Sequence, residues 1–257
     1  MSLIIKNRIQ EFDVKEYYKK IYKGSKAEFM KKLEGEIEAG KKQCVVTANP
    51  EIFMLADRMK EVRGLLMAED TTIVADGIGI LIGGKKLGFH IKERIPGVEI
   101  CSDLFEWADK NRKSLFLFGA KPEVVETLAK KIEREYPGIY LCGYENGYVK
   151  DKDAVLERIA EKEPDISLIA LGAPMQELLI RRHMASFKKG VLIGVGGSFD
   201  VLSGMKKRAP QFFVKCNLEW LYRIVTEPKR LKRFWNNNIK FLFVLRKESH
   251  ERTDRKN

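Results

Sequence analysis

The sequence predicts an α/β fold: a doubly wound, mostly parallel sheet that ends in a basic helical appendage. Three observations carry this. From Gln43 to Asp200, short apolar runs alternate with segments of helical period, the signature of successive βα units. Most runs are continuously apolar rather than alternating, which means helices cover both faces of the sheet. Charge is also segregated: residues 205–257 hold 15 Lys and Arg against 5 Asp and Glu, ten of the chain's twelve net positive charges. The expected organisation is therefore a near-neutral body over 1–204 and a basic amphipathic appendage over 205–257. With 257 residues the chain can bury a sizeable core beside such an appendage.

Residues 11–42 are charged and helix-prone, with Phe29, Leu33 and Ile37 spaced as one buried stripe. The first strand is Gln43–Thr47. After it, Asn49 is placed to cap a helix with Pro50 in its first turn, and Ile52, Leu55, Met59 and Val62 continue at helical period. Thr71–Val74 is a β-branched strand that empties into Ala75-Asp76-Gly77, followed by a Gly-rich segment to Gly84 that suits a helix start. Residues 85–100 read as a loop holding Arg94 and Glu99. From Ser114 the alternation becomes regular: strands at 115–120, 139–143, 165–171 and 191–195, with helices at 122–136, 151–161 and 176–187 between them. In the tail, Leu218–Val225 is an amphipathic helix, Pro228 interrupts it, and Ile239–Leu245 is apolar but far shorter than the ~20 residues a membrane span needs.

Parallel strands bring their carboxyl ends to one edge, where open α/β sheets hold ligands. That edge should carry Thr47 and Asn49, Asp76 and Gly77, Gly119 and Ala120, Gly143 with the nearby Tyr148, Gly172 with Gln176, and Gly196, Gly197 and Asp200. Asp76, on a rigid strand end facing a crevice, suits a general base; it equally fits a cap on the next helix. Gly194–Gly197 with Asp200 suits a ribose or phosphate, or a tight turn with a capping Asp. Arg94 is either a solvated loop charge or a phosphate clamp. Arg223, Arg230 and Arg233 share a helix face if the tail helix is continuous. Basic residues interleaved with Trp, Phe and Leu suit an anionic membrane surface, a phosphorylated ligand or nucleic acid.

Several classes fall away. The first strand is followed by Thr-Ala-Asn-Pro rather than G-x-G-x-x-G, and no Walker motif occurs. Cys44, Cys101, Cys142 and Cys216 form no CxxC pair, and His90, His183 and His250 are dispersed, so neither a zinc site nor a disulfide framework is expected. The amino terminus has too short an apolar run for a signal peptide. A reducing, cytoplasmic setting is the expectation.

Taken together, these motifs resemble the WecG/TagA/CpsF glycosyltransferases. The resemblance rests on Val46–Glu51, Ala75–Gly79, Arg94 followed by Gly97, Phe118–Ala120, Leu171–Glu177, Gly194–Asp200, Arg208–Pro210, Leu218–Arg223 and Glu227–Arg230, in that order over roughly 43–233. Within the family it points to the N-acetylmannosaminyltransferases of wall teichoic acid linkage-unit synthesis. It implies an inverting, metal-independent transfer from UDP-N-acetylmannosamine to undecaprenyl-diphosphate-linked GlcNAc, without a cofactor. Asp76 would be the base, with Thr47, Asn49 and Gln176 around the reacting sugars, Arg94 on phosphate, and Arg223, Arg230 and Arg233 over the diphosphate. The enzyme would work peripherally on the inner face of the cell membrane. A different donor sugar, a nucleotide-sugar reductase or epimerase, or a basic-tailed nucleic-acid-binding protein are the alternatives; a homo-oligomer stays open. The sequence departs from the family in having Glu99 where Asp is common, and before Gln43.

Overall fold

The computed structural model describes residues 14–210, 212, 213, 216, 218–226 and 230–254; the side chains at 223, 230, 232–234, 236, 237 and 249–254 lie outside the described set. Two helices, α1 (Val14–Lys20) and α2 (Lys26–Glu38), precede β1 (Lys42–Ala48). Then come α3 (Pro50–Arg58), α4 (Lys60–Met67), β2 (Thr71–Ala75), α5 (Ile78–Leu87), α6 (Gly97–Lys110), β3 (Ser114–Gly119), α7 (Pro122–Glu135) and β4 (Tyr140–Glu145). The chain continues with α8 (Lys152–Lys162), β5 (Ile166–Ala170), α9 (Met175–His183), β6 (Gly190–Gly194), α10 (Ser198–Leu202), α11 (Glu219–Thr226) and α12 (Arg230–Asp254).

The six strands form one parallel sheet in the order β2-β1-β6-β5-β3-β4. Its two faces bury separate cores. One is built with α1, α3, α4, α5, α8, α9 and α12 through residues such as Tyr18, Phe53, Leu65, Ile80, Leu156, Ile180 and Phe241. The other is built with α2, α6, α7 and α10 through Phe29, Leu104, Leu128 and Phe199. The doubly wound α/β reading therefore holds, and the stripe of Phe29, Leu33 and Ile37 is buried as its spacing required.

This topology creates two switch points. The helix after β3 lies on one face and the helix after β5 on the other, although β3 and β5 are neighbours. The same is true of β1 and β6, whose following helices α3 and α10 lie on opposite faces. Chains that leave adjacent strand ends in opposite directions open a crevice between them.

Three local expectations need correction. The single helical period from Ile52 to Val62 is two helices, because Met59 is extended (φ −120°, ψ 111°) and Arg63 reaches back to the Ala56 and Asp57 carbonyls that the end of α3 exposes. Glu99 is not in a loop: α6 starts at Gly97, driven by the buried stripe of Ile100, Cys101, Leu104 and Phe105. β4 is an edge strand only partly covered: Tyr140 and Tyr144 are exposed, while Leu141 and Cys142 pack against the two cores. It runs to Glu145, and its register with β3 shifts at Leu115/Phe116.

In the tail, α12 packs against α1, α3 and α5: Phe241 and Leu245 are buried in the first core, and Glu248 pairs with Lys15 of α1 at 2.5 Å. Exposed Leu231, Trp235 and Leu242 flank that buried face, and exposed Phe243 lies on the opposite side of the helix. No helix among the described residues is long and apolar enough to cross a membrane. Whether α11 and α12 are continuous through Pro228 lies outside the described residues.

Candidate active site

Asp76 follows the last residue of β2, and its N–H donates to the Ala48 carbonyl of β1 at 2.9 Å. The two strand ends are thus locked together just where the sheet stops. Its side chain does not cap α5: the residue before that helix is Gly77, and no side-chain bond caps it. The carboxylate is instead about a third exposed (34%) and faces Arg94, whose Nη2 is 3.9 Å from Oδ1. Arg94 Nε also donates to the Asp76 main-chain carbonyl at 2.6 Å. With Nε fixed in this way, the planar guanidinium has one orientation available. The same Nη2 lies 3.7 Å from Oε2 of Glu219, the first residue of α11.

Around this acid the β1/β6 switch point supplies further groups. Thr47 Oγ1 donates to the Gly194 carbonyl across the two strand ends at 2.9 Å. Both Thr47 and Ser198 come close to Gly97, where an added Cβ would meet them at 3.3–3.6 Å. Asn49 caps α3, its Oδ1 accepting from Ile52 N at 3.1 Å, and it packs beside Gly77. Asp200 is not the cap of its helix; it lies within α10 and pairs with Lys206 at 3.4 Å. The side chains of Arg223, Arg230 and Arg233 lie outside the described residues.

The second switch point is bounded by Gly119 at the end of β3, Ala120 just after it, and Gly172 after β5. Gly119 has φ +127°, and a Cβ there would run into the Ala170 carbonyl, so the close approach of these strand ends needs glycine. Gly147 N donates to the Ala120 carbonyl at 2.8 Å, which brings the exposed Tyr148 alongside. Gln176 connects the two crevices. Its Oε1 accepts from Gly172 N at 3.2 Å and from Gly196 N at 3.1 Å, while its Nε2 donates to the buried Glu177 at 2.8 Å. Its carbonyl oxygen is therefore already used to tie the lips of the crevices together.

Glu99, in α6, joins α2 to the segment after α10: Arg208 Nη2 lies 2.6 Å from Oε1 and Lys26 Nζ 3.4 Å from Oε2. Burial alone would push the Glu99 carboxyl up, but hydrogen bonding and charge from Arg208 and Lys26 outweigh it and hold it below the usual carboxylate range.

Glu219, Glu177 and Ser198 join the site without figuring among the residues expected from sequence. Glu219 lies within the Leu218–Arg223 motif, and the available signal was an acid placed in an otherwise basic tail. For Glu177 no sequence feature distinguished a buried carboxylate from a first-turn helix acid.

Two adjacent switch points, one bearing an acid and the other small residues, stand at the carboxyl edge of the sheet, where open α/β proteins place their ligands. The Glycosyl transferase WecG/TagA/CpsF family profile matches residues 17–255, and the chain belongs to that family. The match begins well before Gln43, so α2 and the second half of α1 fall within it. The chain is 40% identical over 197 residues to an N-acetylglucosaminyldiphosphoundecaprenol N-acetyl-beta-D-mannosaminyltransferase of Bacillus spizizenii, covering 77% of this chain and 76% of the relative. It is 39% identical over 209 residues to the protein of that name in Bacillus subtilis (81% of each) and 38% over 190 residues to that of Staphylococcus aureus (74% of each).

Proposed function

We propose that this protein transfers N-acetylmannosamine from UDP-N-acetylmannosamine to the GlcNAc of an undecaprenyl-diphosphate-linked acceptor, with inversion, in the synthesis of a wall teichoic acid linkage unit. The reading draws on the names of its relatives and on the chemistry of the strand-end edge. The observation that carries it is Asp76: a partly exposed carboxylate on a rigid strand end, not engaged as a helix cap, beside a fixed arginine.

In this reading Asp76 accepts the proton of the acceptor hydroxyl as its oxygen bonds to the anomeric carbon. The bond to the UDP oxygen breaks from the opposite side, and UDP leaves with the electron pair. Thr47 and Asn49 flank the sugars. Gly119, Ala120, Tyr148, Gly196, Gly197 and Asp200 line the edge on which the nucleotide would lie, and Gln176 keeps the two lips in register. Arg223, Arg230 and Arg233, with backbone N–H groups, meet the charge of the leaving diphosphate. The exposed aromatic and aliphatic face of α12, in a strongly basic tail, suits peripheral contact with an anionic membrane where the lipid acceptor resides.

The test is incubation with a panel of UDP-sugars and a short-chain polyprenyl-diphosphate-GlcNAc, with product followed by mass. A single N-acetylhexosamine added from UDP-N-acetylmannosamine is expected. No lipid-linked product from any UDP-sugar would overturn the reading, and product from a different donor alone would overturn the sugar assignment.

A further inference from the structure

We infer that Glu219 is a positioning residue: its buried carboxylate docks the tail helix α11 onto Arg94 and thereby fixes the arginine that presents Asp76. This deepens the proposed function, since it rests on Asp76 as the base.

The argument begins with burial. The Glu219 side chain is only 8% exposed and that of Arg94 only 13%. A carboxylate and a guanidinium taken this far out of water are tolerated when they face each other, because either one alone would lose its hydration without compensation. The first-turn position of Glu219 in α11 suits the helix dipole, yet a dipole contact needs no burial and no partner from another element. Arg94 comes from the segment between α5 and α6, far from the tail in sequence, so the pair is a tertiary link between the tail and the catalytic edge.

Geometry supplies the second step. Arg94 is held at three places: Nε by the Asp76 main-chain oxygen at 2.6 Å, and Nη2 between Asp76 Oδ1 at 3.9 Å and Glu219 Oε2 at 3.7 Å. One terminal nitrogen thus faces two carboxylates from opposite ends of the fold. Losing Glu219 would remove one of the two carboxylates described at this nitrogen, and the guanidinium would shift toward the Asp76 carboxylate. The ion pair, 3.9 Å long with Glu219 in place, would then tighten and make the acid a weaker acceptor for the proton of a hydroxyl. Seating of the tail and readiness of the base are therefore one event, carried by one arginine.

The experiment uses the full chain. Trp220 is adjacent to Glu219, and with Trp107 and Trp235 changed to Phe it becomes the only tryptophan of the three. In that background, acrylamide quenching of Trp220 reads docking without any turnover. Glu219→Gln and Arg94→Gln should each raise quenching well above the parent value, while Glu219→Asp should recover most of the protection. In transfer assays, Glu219→Gln should lower kcat at least tenfold and raise the KM for the UDP-sugar, since Arg223 of the same helix moves with it, and Glu219→Asp should restore much of both. A thermal melt establishes that each variant is folded; if Arg94→Gln does not fold, Glu219→Gln and Glu219→Asp carry the test. Unchanged quenching in a folded Glu219→Gln overturns the docking link. Raised quenching with wild-type kcat overturns the positioning role. If the parent transfers no sugar at all, the proposed function fails while the quenching result still decides the link.

Discussion

The two faces of α12 make opposite predictions for substitutions only six residues apart. Phe241 is 1% exposed and its ring meets Phe53 of α3 edge-on, with centroids 6.2 Å apart. Trp235, on the same helix, is 61% exposed. Phe241→Ala removes a fully buried ring and leaves a cavity between α12 and α3, at a cost of about 3–5 kcal/mol. For a chain of this size each kcal/mol lowers Tm by roughly 2–4 °C, so a fall of about 6–20 °C is expected by calorimetry. Against a total stability of about 5–15 kcal/mol this is a large loss, but folded protein should persist at low temperature. Trp235→Ala removes an exposed ring, should change stability by less than about 0.5 kcal/mol, and should weaken co-sedimentation with anionic vesicles. A Phe241→Ala protein that melts within ~2 °C of wild type would refute the docking of α12 against α3. Unchanged vesicle binding by a Trp235→Ala/Phe243→Ala protein would refute the membrane role of the exposed face.

Four further outcomes are expected. Asp76→Asn should keep the fold and UDP affinity while transfer falls by ~10²–10⁴-fold; wild-type turnover would remove Asp76 from the base role. Chelation by EDTA should leave transfer intact, and an EDTA loss restored by Mg²⁺ would count against stabilisation of the leaving group by arginines alone. Gly119→Ala, at φ +127° and facing the Ala170 carbonyl, should cost about 2–4 kcal/mol and weaken UDP binding in calorimetric titration; an unperturbed melt would show that the strand ends can separate cheaply. The depressed Glu99 carboxyl contributes stability that is present above its unfolded value of ~4.3 and is lost as pH falls from there through its lower folded value. Arg208→Gln should therefore flatten the pH dependence of Tm in that acid window and leave it unchanged near neutrality.

What could be read from the sequence follows the range of the forces involved. Strand runs and helical stripes are local, so the alternation from Gln43 to Asp200 and the buried Phe29, Leu33 and Ile37 emerged without coordinates. The carboxyl edge followed from the parallel topology, and Thr47, Asp76, Gly119 and Gly196 all lie on it. Three kinds of information lie outside apolar periodicity. The break at Met59 depends on Arg63 folding back to the carbonyls at the end of α3. The start of α6 at Gly97 is masked in the sequence by Pro96 and Gly97, which read as loop residues just ahead of the stripe. The partners of Arg94 and Gln176 come from elements distant in the chain or from main-chain groups, which side-chain spacing does not encode. Charge composition separated the tail from the body but said nothing about Phe241 and Leu245, because two buried residues hardly alter the character of a segment so rich in Lys and Arg.

Those two residues change how the basic tail has to be tested. α12 packs on α3 and α5, the helices that leave β1 and β2 at Asn49 and Gly77, on either side of the edge where Asp76 stands. An added Cβ at Gly79 in α5 would meet Pro50 of α3 at 2.7 Å and Asn238 of α12 at 3.8 Å, so the three helices converge close to the sheet edge that carries Asp76. Deleting 205–257 would strip Phe241 and Leu245 from the core that seats α3 and α5, and would remove the cationic residues together with that support. Loss of transfer in such a truncate would be the outcome whether the arginines act on diphosphate or the helix merely holds the edge in shape. Substitutions confined to the outward face of α12, or to Glu219 at the start of α11, leave the buried face in place. They are the perturbations that separate a chemical contribution of the tail from its structural one.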